Sequence, residues 1–103
     1  MTIYSVQITI QKEAAAVWLQ YMQQQHIGDV MQTGCFQSYQ VLRQTDFDSD
    51  HEDCYVIQYH CDSPEQLQTY FDKHAAALRD DVQQHFGGQF TAERCIYEMI
   101  NAS

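Results

Sequence analysis

The period of the hydrophobic pattern switches between two and about 3.6 along this chain, and the order of the switches leaves few folds open. From Ile3 to Ile10, Tyr4, Val6, Ile8 and Ile10 fall on one face, with Ser5, Gln7 and Thr9 on the other, so a half-buried strand is predicted. From Glu13 the repeat lengthens. Ala14, Trp18, Tyr21 and Met22, flanked by Ala15 and Leu19, form the apolar stripe of a helix to about Gln25, continued through Ile27, Val30 and Met31 to a stop at Gly34. Cys35 to Arg43 and Cys54 to Cys61 are rich in Tyr, Val, Ile and Phe and read as two strands, joined by an acidic loop too polar to bury. Ser63-Pro64-Glu65-Gln66 then gives an N-cap hydroxyl, a proline for the first helical position, an acid in the first turn and a Gln able to close a capping box. The helix it opens carries Leu67, Tyr70, Phe71, His74, Leu78 and Val82 on one face and ends at Gly87-Gly88. Gln89 to Ile100 is the last strand. The order β-α-β-β-α-β predicts an α+β, ferredoxin-like domain with a four-stranded antiparallel sheet and two helices on one face.

With 103 residues, 45% of them apolar, the chain has material for one core, and a single domain over residues 1–103 is expected. Five Lys and Arg against fourteen Asp and Glu give a net charge of −9, which leaves no basic patch for nucleic acid or an anionic membrane surface. The Met1-Thr2-Ile3-Tyr4 start shows no leader pattern and no run is long enough to span a membrane, so a cytoplasmic protein is expected, with Cys35, Cys54, Cys61 and Cys95 reduced.

The uncovered sheet face carries large side chains, with Val56, Gln58 and His60 opposite Tyr55, Ile57 and Tyr59. Such a face is costly to leave in water, and a second copy of the chain covering it is the simplest remedy, giving a two-fold homodimer.

Few groups carry recognisable chemistry. Trp18, Met22 and His26 follow one another at four-residue steps along the first helix; the first two read as core or as a pocket wall, and His26 as a capping imidazole or as an acid, base or ligand at the pocket mouth. His74, in the stripe of the second helix, is a candidate base or a core imidazole with a partner. Arg79, one turn on, pairs with a surface acid or with an anionic ligand. Asp81 and His85 are two potential metal ligands on one helix, too few for a site, and Asp46-x-Asp48-x-Asp50 lacks the Gly and Glu of a calcium loop. No metal or cofactor is expected, and the phosphate-binding, zinc-protease and serine-hydrolase motifs are missing.

In combination, Trp18-Leu19-x-x-Met22-x-x-x-His26-Ile27-x-x-Val30-Met31-x-Thr33-Gly34-x-Phe36, Arg43, Tyr55-x-Ile57-Gln58-Tyr59, Tyr70-x-x-x-His74-Ala75-x-x-Leu78-Arg79, Phe86-Gly87-Gly88-x-Phe90 and Arg94 resemble a family of bacterial proteins known as a domain of unknown function. The resemblance spans nearly the whole chain. It implies a bacterial cytoplasmic domain related in architecture to dimeric α/β barrels, a group that includes cofactor-independent monooxygenases and haem-degrading enzymes. It also implies that His26, Arg43, Tyr59, His74, Arg79 and Arg94 surround one cavity. Two functions fit: a homodimer binding an anionic or aromatic small molecule, with Arg43 or Arg94 meeting its charge and Trp18, Tyr59 and Phe71 its apolar body, or a monooxygenase-like enzyme with His74 or His26 as base. A protein-interaction domain using the sheet edge is the third.

Overall fold

A computed structural model describes residues 1–103. Strand β1 (Thr2–Gln11) lies inside an antiparallel sheet of order β2-β3-β1-β4, with β2 at Ser38–Arg43, β3 at Glu52–Cys61 and β4 at Phe90–Glu98. Tyr4 faces Tyr59 and Ile96, Val6 faces Ile57 and Arg94, and Ile8 faces Tyr55 and Ala92, so these residues share the face that the helices cover. The topology is the predicted ferredoxin-like βαββαβ arrangement. No helix is long and apolar enough to cross a membrane.

Strand ends differ from the sequence reading. Strand β2 begins at Ser38 rather than Cys35, because Cys35 and Phe36 are buried in the core instead of alternating along an edge. Strand β3 begins two residues early, at Glu52, and β4 ends at Glu98.

Each helix is interrupted by a π turn. The first arm runs as α1 (Lys12–Tyr21), a π turn at Met22–His26 and α2 (Ile27–Gln32); the second as α3 (Pro64–Tyr70), a π turn at Phe71–Ala75 and α4 (Ala76–Phe86). In the first, the Ile27 N–H donates to the Met22 carbonyl five residues back. The buried positions explain both turns: Ala15, Trp18, Met22, Ile27, Val30 in one arm and Leu67, Tyr70, Ala75, Val82, Phe86 in the other each contain one step of five. A continuous α-helix, at about 100° per residue, would carry everything beyond that step off the sheet; one extra residue absorbed in a π turn brings it back.

Helix α3 is capped as its sequence demands: Ser63 Oγ accepts the Gln66 N–H at 3.2 Å, with Pro64 at the first position. Ser63→Ala is expected to cost about 1 kcal/mol in urea denaturation with an unchanged m-value. At the other end Gly88 has φ +85°, and a Cβ on Gly87 would stand 2.6 Å from the Gln83 carbonyl oxygen, so neither position accepts a side chain without strain.

Tyr4 is the hub of the aromatic core, with ring centroids of Tyr59 at 6.2 Å, Tyr70 at 6.0 Å and Phe71 at 5.3 Å. Across the uncovered face a polar ladder links three strands: Gln40 Nε2 donates to Gln58 Oε1 at 2.6 Å, and Gln58 Nε2 donates to Ser5 Oγ at 3.5 Å. This face is thus polar along its centre, where the sequence reading stressed bulk; Leu42 and Tyr97 are its exposed apolar groups.

Candidate functional site

Between the covered sheet face and the two arms lies a cavity of about 600 Å³. This volume is in the range of small-molecule sites. Its floor is built by Tyr4, Val6 and Ile8 of β1 and by their neighbours on β3 and β4, and 12 of its 17 lining residues are hydrophobic. Trp18, Met22 and His26 wall one side, and Tyr70, Arg79 and Val82 the other.

Polar groups converge on this apolar space. Trp18 is fully buried against Tyr55, 5.2 Å between ring centroids, and its indole Nε1 has no hydrogen-bond partner in the protein. His26 Nδ1 is also buried and unpartnered. A buried polar atom without a partner costs about 1–3 kcal/mol. The Arg79 guanidinium donates through Nη2 to Tyr4 Oη at 3.0 Å and lies 5.9 Å from the Phe71 ring centroid. Arg94 reaches the same cavity from β4.

Burial pushes the Tyr59 and Tyr70 phenols well up, so both stay protonated donors at neutral pH; at Tyr70 the Tyr4 hydroxyl adds to the rise, while Arg79 and Arg94 both pull against it. Burial also holds the His26 imidazole below its ordinary 6.5, against the opposing fields of Asp29 on its own arm and Asp81 on α4. His26 is therefore a neutral ring at pH 7. The unfolded chain binds its proton more readily, so the stabilisation is complete above pH 6.5 and is lost as pH falls toward and through the folded value. In pH-dependent denaturation, His26→Asn is expected to flatten the stability slope below pH 6.5; an unchanged slope would place that proton uptake elsewhere.

Residues 1–100 match the family described as a domain of unknown function (DUF4286). The chain belongs to that family. No curated protein matches the sequence. Solved structures with a similar fold include the haem degrader MhuD from Mycobacterium tuberculosis, with two haems bound in its active site, at 16% identity and TM-score 0.73, covering 100% of this chain and 99% of that one. HapK from Hahella chejuensis gives 13% identity and TM-score 0.70 over 100% and 96%. SnoaB, a cofactor-independent oxygenase from Streptomyces nogalater, gives 10% and 0.65 over 98% and 95%. At these identities the likeness is one of fold.

Of the residues singled out in the sequence, Trp18, Met22, His26, Tyr59, Arg79 and Arg94 line the cavity. Three lie elsewhere. Phe71 stands behind the wall, edge-on to Tyr4 and beneath Arg79. Arg43, the last residue of edge strand β2, is outside the cavity lining and 3.9 Å from Asp53 in the one ion pair of the structure. His74 is half-buried beside Tyr70, 6.4 Å between centroids, outside the cavity lining. Its displacement has a geometric cause. Counted from Leu67, a continuous α-helix puts His74 within about 20° of the sheet-facing line and Arg79 about 120° away from it; the π turn returns Arg79 to about 20° and swings His74 outward. The sequence reading passed over Tyr4, Gln83 and Phe90, which also line the cavity. For Gln83 the usable signal is again the five-residue step, which turns it inward. His85, paired with Asp81 in the sequence reading, has Nδ1 2.7 Å from the Asp81 carbonyl oxygen.

Proposed function

We propose that this chain is a homodimeric small-molecule-binding protein whose ligand sits in the cavity between sheet and helices. The observation that carries the reading is one mostly apolar cavity of about 600 Å³ whose lining includes His26, Arg79 and Arg94. The fold neighbours lend it support: one is a haem degrader with haem bound in its active site. The second copy covers the uncovered sheet face through Leu42, Tyr97 and the glutamine ladder. Native mass spectrometry tests both parts: a mass of twice 12.1 kDa with a retained organic molecule is expected, and an empty single chain contradicts the proposal.

A second reading, an oxygenase-like enzyme, is favoured by one observation. His26 is a neutral imidazole at the cavity wall, a suitable base for an acidic phenol. On this reading His26→Ala abolishes oxygen uptake with a dihydroxynaphthalene and spares its binding, whereas His74→Ala leaves both intact. Equal rates in wild type and His26→Ala count against it.

A further inference from the structure

The two arginines at the cavity define the ligand more narrowly. The chain has five Lys and Arg among fourteen acids, yet neither Arg79 nor Arg94 has a carboxylate oxygen within 4 Å; Arg43 alone does. Both are exposed and line the cavity from different elements, α4 and β4, and their fields meet at one group, the Tyr70 phenol. The single acid on the lining, Asp80, is exposed to solvent. Arg79 is further held by its hydrogen bond to Tyr4 and by the Phe71 ring, so part of its side-chain freedom is already lost before any ligand arrives. Beyond the arginines the space is aromatic, with Tyr4, Tyr59 and Tyr70. Trp18, about two helical turns from His26 along the first arm, belongs to the same lining.

We propose that the site selects a planar aromatic carboxylate: the carboxylate bridges Arg79 and Arg94, and the rings lie among Tyr4, Tyr59 and Tyr70. This rests on the cavity reading above and narrows it to one ligand class. The π turn at Phe71–Ala75 is the device that builds the selectivity, since it presents a permanent cation to the sheet in place of the titratable His74.

The test uses the whole chain and two probes of equal shape: a hydroxynaphthoate with hydroxyl and carboxylate at opposite ends of the ring pair, and the neutral alcohol in which CH₂OH replaces the carboxylate. Trp18 is the only tryptophan, so its fluorescence reports binding at the wall of the cavity. The carboxylate is expected to bind about tenfold or more tighter than the alcohol, the scale of a charge-assisted hydrogen bond. Arg79→Gln and Arg94→Gln are each expected to remove most of that difference, and the circular dichroism of each variant shows that it is folded. Equal affinity for the two probes in the wild type overturns the carboxylate proposal and leaves the cavity reading standing. Failure of both probes to quench Trp18 overturns the two together.

Discussion

Inserting one alanine after Lys73 in the second π turn destabilises the protein by roughly 3–6 kcal/mol. Lys73 is exposed, so the loss does not come from its own contacts. The turn already absorbs one extra residue, and a second rotates α4 by about 100° relative to α3. Val82 and Phe86, both buried, then leave the sheet, at about 1.5–3 kcal/mol each. Anchoring by α4 instead would expel Leu67 and Tyr70, at comparable cost. Deleting Lys73 removes the extra residue and closes the arm into continuous α-helix with Val82 and Phe86 still facing the sheet, so it is expected to stay within about 1 kcal/mol of wild type. Guanidinium denaturation of the pair provides the measurement; an insertion as stable as the deletion would mean that the π turn does not set the register of the arm.

Trp18→Ala is expected to cost about 3–5 kcal/mol, the range for truncating a buried aromatic in a core that cannot collapse around the gap. Trp18 has no exposed surface, packs on Tyr55 and already borders a cavity, so its removal enlarges an existing space instead of closing it. Trp18→Phe separates packing from hydrogen bonding. It keeps most of the ring contact and removes an N–H that the protein leaves unpartnered, so its stability is expected to remain within about 1.5 kcal/mol of wild type. Thermal and chemical denaturation of the two variants decide this; equal losses for Phe and Ala would make the indole N–H a structural requirement.

Much of the fold is legible in the sequence because period and capping are local. The alternation in β1, the Ser63-Pro64 cap and the Gly87-Gly88 stop each state their structure within a few residues, and their order gives the topology. The site is less legible, and the reason is one residue per arm. Under a strict helical period His74 falls in the apolar stripe and Arg79 at its edge; the π turns invert that relation. The five-residue steps Met22 to Ile27 and Tyr70 to Ala75 are visible in the sequence, but each is meaningful only once the residues beyond it are known to face the same sheet. Arg43 illustrates a different limit: it shares a sheet face with Val41, yet β2 is an edge strand, and the helices leave its end exposed beside Asp53.

The cavity as the ligand site is tested most directly by the single indole N–H resonance of ¹⁵N-labelled protein. Titration with the hydroxynaphthoate is expected to move that resonance and to saturate with the same midpoint as the fluorescence quench, because Trp18 lines the cavity that the aromatic rings enter. An indole resonance that stays fixed while the probe binds would place the ligand outside this cavity.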